Sequence, residues 1–125
     1  MANQYASSVI RYAHVLLIYA EAQARSAGSD ASTYQAVNVI RQRAGLADLT
    51  GLSNADFIDA VVQERAWEFA GEYTRWFDLV RLELVEEANA NKDSNELPIQ
   101  GTITEDDLWL PIPVNDLNLN PNIGG

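Results

Sequence analysis

The spacing of apolar residues between positions 9 and 90 constrains the fold of this chain more than any other feature of its sequence. In the segment VIRYAHVLLIYAEAQARSAG, apolar residues recur at separations of three and four positions, the period of one face of an α-helix. They are Val9, Tyr12, Ala13, Leu16, Leu17, Ala20 and Ala24. The segment therefore predicts an amphipathic first helix that ends at Gly28.

Three further segments have the same period. Residues 32–35 (STYQ) match a capping box and predict a second helix that ends at Gly45. Ser53 is a favourable N-cap, and the apolar residues after it predict a third helix to about Gly71. Residues 75–88 predict a fourth helix, with Trp76, Phe77, Val80 and Leu84 on its apolar face. Short connections favour two antiparallel helix–turn–helix pairs, an all-α arrangement similar to tetratricopeptide repeats but without their consensus.

Residues 91–125 differ in composition from the helical part, since they contain all four prolines and many asparagines. Proline restricts the residue before it and lacks an N–H donor, so LWLPIP predicts extended chain. We predict an irregular strap over 91–125 that packs Leu108, Leu110 and Ile112 against the helices, and a disordered or extended lead over 1–8. A strap of this length is uncommon in a small independent domain and indicates a part of something larger.

The charge balance argues against several classes of partner. With 18 acidic and 8 basic residues the net charge is −10, which repels phosphate backbones and disfavours nucleic acid and anionic membrane surfaces. Seven of the eight basic residues are arginine, whose rigid fork suits fixed pairing with carboxylates.

The absence of cysteine excludes disulfides, thiol catalysis and thiolate metal sites. The longest apolar run, 15–20, is too short to span a bilayer, and the first residues do not resemble a signal peptide.

Residues 64–81, ERAWEFAGEYTRWFDLVR, resemble the E-R-x-x-E-x-x-x-E-x-x-R-(W/F)-(F/Y)-D-L-x-R signature of the SusD/RagB family of outer-membrane nutrient-binding lipoproteins. Three further segments resemble family motifs in the family's order: RYAHVLLIYAEA (11–22), VNVIRQRAGL (37–46) and LPIPVNDLNLNPNI (110–123). The departures are mild, since His14 stands where an acidic residue is common, Tyr73 where glycine is frequent and Asp116 where glutamate is usual. The chain resembles the C-terminal region of such a protein.

The resemblance implies a surface-exposed lipoprotein, lipid-anchored in the outer membrane of Bacteroidetes-type bacteria. Such a protein captures oligosaccharides or polysaccharides, or peptides in some members, for a TonB-dependent outer-membrane transporter. It is not an enzyme and needs no cofactor. Complete members are longer and carry a signal peptide, a lipidated cysteine and tetratricopeptide-like helices upstream. We therefore expect a fragment that is soluble by itself and that lacks most of the family's glycan-binding aromatic residues.

The acidic residues of the signature block have two interpretations. Glu64, Glu68 and Glu72 recur every four residues and share one side of the third helix. A glycoside hydrolase needs two carboxylates that face each other across a substrate, whereas successive turns place these side by side. We predict a structural ion-pair network instead, with no catalytic residue. Its other members are Arg65, Arg75, Asp78 and Arg81, and the pairs Glu72–Arg75 and Asp78–Arg81 have i,i+3 spacing.

Other candidate sites receive structural interpretations as well. His14 is the only histidine and lies in no metal-binding motif, so we predict a partly buried helix residue and no metal site. The acidic run ending in Asp106-Asp107 lacks the spacing of a calcium loop and predicts a solvated turn. Among the three tryptophans, Trp76 is expected in the core and Trp67 partly exposed. Trp109 is the single candidate for stacking on a sugar, because it alternates with two leucines in an extended segment.

Three functions remain open at this point. The first is a glycan-binding uptake module, and the second is a helical-repeat module that docks a protein and does not bind sugar. The third, a hydrolase built on the acidic helix, is the least favoured. Separation from upstream helices would leave apolar faces uncovered, which predicts self-association of the fragment.

Overall fold

The computed structural model describes residues 10–90, 95, 103–120 and 122, and these contain helices and no strand. This confirms the all-α class. The helices are α1 (Tyr12–Ala27), α2 (Ala31–Arg43), α3 (Asn54–Glu68), α4 (Arg75–Arg81), α5 (Val85–Ala90) and α6 (Val114–Leu119), with a 3₁₀ turn at Glu105–Leu108. The chain divides into two compact units, Met1–Asp78 and Leu79–Gly125. The predicted lead over 1–8 and the parts of the strap at 91–94, 96–102, 121 and 123–125 lie outside the described residues.

The first unit is organised around α1, which contacts both α2 and α3. Alanines on the inner face of α1 allow its neighbours to approach closely, since the distance between helices depends on the side chains at the contact. Larger apolar residues fill the space between the helices, and Leu17, Val37, Phe57 and Val61 are fully buried. The remaining buried members of the core are Ala13, Ala20, Ala24, Ala36, Ile40 and Phe69.

The helix ends show local rules at work. Ser53 is the N-cap of α3 as predicted, and its hydroxyl accepts a hydrogen bond from the Asp56 N–H at 3.2 Å. The capping box of α2 lies two residues before the predicted one. The Asp30 carboxylate accepts from the Thr33 N–H at 2.9 Å, and the Thr33 hydroxyl accepts from the Asp30 N–H at 2.9 Å. The prediction of a box over 32–35 is therefore wrong.

The predicted fourth helix is divided into α4 and α5. The Leu84 N–H donates to the Leu79 carbonyl at 2.9 Å and the Glu83 N–H to the Val80 carbonyl at 3.2 Å. This is the Schellman pattern, and it requires Glu83 in the left-handed region, at φ 58°. The same pattern ends α2, where Gly45 holds that position at φ 74°. Glycine signals such an end in a sequence, whereas glutamate does not.

The second unit contains more regular structure than the strap prediction allows. The 3₁₀ turn and α6 occupy positions that composition predicts as irregular, so the irregular strap is not confirmed. Pro113 precedes the first turn of α6 with φ −54°, close to the helical value. The Leu110 side chain is 83% exposed. Among the described residues, no helix combines the length and apolar content needed to cross a membrane.

Candidate functional site

The glutamates of the signature block lie at the end of α3 and in the turn that follows it. Glu64 is buried, the Glu68 side chain is largely covered, and Glu72 is exposed. Glu68 and Glu72 both form an ion pair with Arg11, which precedes α1, and Glu64 forms one with Arg41 of α2. The acids therefore connect α3 to α1 and α2.

Glu68 is the centre of this network because one of its oxygens, Oε1, binds two arginines. The Arg11 Nη1 donates to it at 2.8 Å and the Arg43 Nη2 at 2.5 Å. Arg11 also donates to the Glu68 carbonyl at 3.0 Å and, through Nε and Nη2, to Glu72 at 3.1 and 2.6 Å. Arg11 is the N-cap of α1 and Arg43 is the last residue of α2, so Glu68 ties two helix ends together.

Glu64 has a separate partner one helical turn earlier. The Arg41 Nη1 donates to its Oε2 at 2.6 Å, and the Arg41 Nε donates to the Ala47 carbonyl at 2.8 Å. Both side chains are well covered, since Arg41 is 15% and Glu64 is 4% exposed. This pair fixes the loop after α2 as well as the contact between α2 and α3.

Arg65 and Asp78 form the most buried pair of the network. The Arg65 Nε and Nη2 each donate to one Asp78 oxygen at 3.0 Å, a bidentate arrangement, and both side chains are 5% exposed. The remaining nitrogen, Nη1, is buried without a hydrogen-bond partner. The pair attaches α4 to α3.

The structure also places the other predicted network members. Spacing predicts Arg75 as the partner of Glu72, whereas Glu72 binds Arg11 and the Arg75 Nη1 is buried without a hydrogen-bond partner. Arg81 lies exposed at the end of α4. Sequence reasoning missed three cations of the network, Arg11, Arg41 and Arg43. The R-x-R at the end of α2 and the arginine just before α1 were the available signals, but periodicity reports only neighbours within one helix.

The ion pairs determine the charge state of the central carboxylate. Burial acts to raise the pKa of Glu68, but hydrogen bonds from Arg43 and Arg11 outweigh it and hold the pKa below its usual value. The hydrogen bonds that Arg11 donates, first to Glu72 and then to Glu68, raise the pKa of Arg11. A general acid needs the opposite arrangement, a carboxyl group whose pKa is raised.

His14 is half-buried, as predicted, and packs against the buried ring of Phe69 with centroids 5.1 Å apart. Burial, and then the charge of Arg65, lower the pKa of the imidazole. The acidic run in the second unit is an exposed turn, in which Asp107 accepts hydrogen bonds from the N–H and hydroxyl of Thr104 at 2.8 Å each. These bonds lower the pKa of Asp107.

The tryptophans differ from expectation at one position. Trp76 is 40% exposed, so its predicted place in the core is wrong. The inner side of α4 is occupied instead by Asp78, whose buried pair with Arg65 decides which face of this short helix points inward. Trp67 is 59% exposed. Trp109, the candidate for sugar stacking, is 70% exposed in the second unit.

The first unit is thus a helical scaffold whose charged side chains join one helix to another. Residues 1–124 match the SusD family, and the chain belongs to that family. It is similar to SusD-like protein P25 of Formosa agariphila, with 32% identity over 117 residues that make up 90% of this chain and 22% of the relative. It is also similar to SusD-like protein P2 of the same organism, with 33% identity over 129 residues, 93% of this chain and 25% of the relative.

The chain therefore spans about a quarter of the length of the curated relatives that it matches. No solved structure matches the chain.

Proposed function

We infer that this chain is the scaffold portion of a glycan-binding component in an outer-membrane carbohydrate-uptake system. Membership of the SusD family supports the uptake role. The longer protein would be lipid-anchored at the cell surface and would capture oligosaccharides or polysaccharides for a TonB-dependent transporter. Both relatives are about four times as long as their matched segments, so these properties belong to a longer protein.

The absence of catalysis is also a proposal, and one observation carries it. Glu64, Glu68 and Glu72 each bind an arginine. The pKa of Glu68, the centre of the network, is lowered. A retaining or inverting glycosidase needs a protonated acid and a second carboxylate across an open gap. Carboxylates held between helix ends by arginines suit support of a ligand-binding face better than bond cleavage.

Calorimetric titration of the longer natural protein with oligosaccharides tests the binding role. Heat of binding is expected from at least one glycan, and the titration is repeated with Trp109→Ala and with Trp67→Ala as a matched exposed tryptophan. A loss of affinity confined to the Trp109 variant would assign that residue to the sugar face. Binding of neither oligosaccharides nor peptides would refute the proposed function.

A helical-repeat interaction module is the second candidate, and the outer face of α1 favours it. Tyr12, Val15, Ile18 and Tyr19 are all between 43% and 74% exposed, opposite the buried face of the same helix. A helix that is apolar on all sides usually has neighbours on all sides. The groove between α1 and α2 continues this surface, and Leu16 and Val39 line it.

Self-association of the chain in solution follows from this surface. We expect light scattering after size-exclusion chromatography to show a dimer or larger species that Tyr12→Ser together with Val15→Ser converts to a monomer. Serines at the exposed Asp59 and Gln63 positions of α3 serve as the control pair. A monomeric wild-type chain at high concentration would contradict the argument from uncovered apolar surface.

A further inference from the structure

Phe69, the residue that follows α3, is surrounded by three side chains that are or can be positively charged. Its buried ring lies 5.1 Å from the His14 ring centroid, 5.1 Å from the Arg11 Cζ and 5.4 Å from the Arg65 Cζ. Two permanent cations therefore share this ring with the only histidine of the chain. The backbone also links the histidine to Arg11, because the His14 N–H donates to the Arg11 carbonyl at 2.9 Å.

The carboxylates around His14 are already engaged. Arg11 at the start of α1 and Arg65 on α3 are the cations that face the imidazole, while Glu72 in the turn and Asp78 on α4 are the facing acids. Glu72 binds Arg11 and Asp78 binds Arg65. The Arg65 Nη1 stays buried without a hydrogen-bond partner, so one donor of this cation is unsatisfied.

The turn that Arg11 holds has a strained backbone. Gly71 and Tyr73, on either side of Glu72, have φ 82° and 60°. Tyrosine in the left-handed region is unfavourable and persists where surrounding contacts impose it. At this turn the Glu72 carboxylate accepts hydrogen bonds from Arg11, and the Glu72 N–H donates to the Phe69 carbonyl at 2.9 Å.

We propose that His14, Phe69 and Arg11 form an acid-sensitive latch between the first turn of α1 and the turn between α3 and α4. At neutral pH the uncharged imidazole packs on Phe69, and Arg11 holds Glu68 and Glu72. Protonation of His14 adds a third cation beside one ring, which weakens the hold of Arg11 and lets the strained turn relax.

The direction of the pH effect follows from the burial of the imidazole and its charged neighbours. The pKa of His14 is lower in the folded chain than its usual 6.5, so the unfolded or opened chain takes up the proton first. The stability that His14 contributes is complete above pH 6.5 and is lost as the pH falls below that value. The pKa of Glu68 is below 4.5, so this carboxylate titrates in a separate, more acidic range.

Nuclear magnetic resonance titration of the single histidine, with amide hydrogen exchange at each pH, tests the latch in the intact chain. We expect a His14 pKa below 6.5 and, between pH 6.5 and 5, faster exchange of the His14 and Val15 amides after correction for intrinsic rates. Each unit by which the pKa is lowered corresponds to up to about a tenfold change in the opening equilibrium. The Tyr34 amide at the start of α2, which bonds the Asp30 carbonyl, serves as the internal control and should not change.

The variant His14→Gln, neutral at every pH, should abolish the acid-dependent exchange. A His14 pKa at or above 6.5 would overturn the proposal, as would equal acceleration at Tyr34 or an unchanged pH dependence in the variant. If the variant does not fold, the proposal is decided by the wild-type pKa of His14 and by the exchange rates of the His14 and Val15 amides compared with that of Tyr34.

Discussion

Buried charge at single residues determines how α4 is attached to the scaffold. The bidentate pair of Arg65 and Asp78 is 5% exposed on both sides, and the arginine would be left uncompensated without its partner. Breaking such a pair by removing one member costs about 3–5 kcal/mol. We therefore expect Asp78→Ala to lower the free energy of unfolding by about that amount.

The matched control is Arg43→Gln. Arg43 is 59% exposed, and Glu68 still binds Arg11 when the Arg43 charge is removed. We therefore expect the free energy of unfolding to fall by less than about 1 kcal/mol. Urea unfolding of the three proteins measures both values. Equal effects of the two substitutions would mean that burial does not govern the strength of these pairs.

Tyr73 has a strained backbone conformation, from which a second prediction at the residue scale follows. It has φ 60° and is 91% exposed, so its side chain contributes few contacts while its backbone is strained. Tyr73→Gly removes a cost of roughly 1–2 kcal/mol, and the greater freedom of glycine in the unfolded chain offsets about half of it. Thermal unfolding should rank the variants glycine, tyrosine, valine in decreasing stability, since a β-branched residue tolerates this region least. A valine variant as stable as the wild type would show that the turn is not strained.

At the scale of elements, the start of α3 depends on one hydroxyl group. Ser53 accepts the Asp56 N–H and donates to the Asp56 carboxylate at 2.7 Å. Ser53→Ala should destabilise the chain by about 1 kcal/mol, and Ser53→Asp, which keeps an N-cap acceptor, should restore most of the loss. Circular dichroism during thermal unfolding gives both values. Equal thermal stability of the alanine and aspartate variants would show that the Ser53 cap does not stabilise the chain.

The elements show what a sequence can and cannot predict. The first three helices follow from apolar spacing and from Gly28, Gly45 and Ser53, because these signals are local. The break at Glu83 has no local signal, since the left-handed residue there is a glutamate. The ion-pair partners were missed for a related reason. Arg11 and Glu68 are 57 positions apart, and only the packing of α1 on α3 brings them together.

The whole molecule carries a net charge of −10, yet its acids are not all equivalent in their effect on stability. Hydrogen bonds from arginines lower the pKa of Glu68 in the folded chain. A lowered pKa contributes stability that is present above the unfolded value of 4.5 and is lost as the pH falls through the folded value. Unfolding measured from pH 5 to pH 2 should therefore show a progressive loss of stability that is reduced in Glu68→Gln. The same slope in both proteins would exclude this carboxylate as a source of acid sensitivity.

The central claim is that the acidic residues of the signature block hold a scaffold together and do not break bonds. Urea unfolding of Glu68→Gln at neutral pH tests it most directly, because Glu68 joins the ends of α1 and α2 to α3. Hydrogen bonds to charged groups contribute about 1.5–3 kcal/mol, so we predict a loss of that size, against almost none for Asp59→Asn at an exposed position of the same helix. An unfolding free energy for Glu68→Gln equal to that of the wild type would contradict the claim.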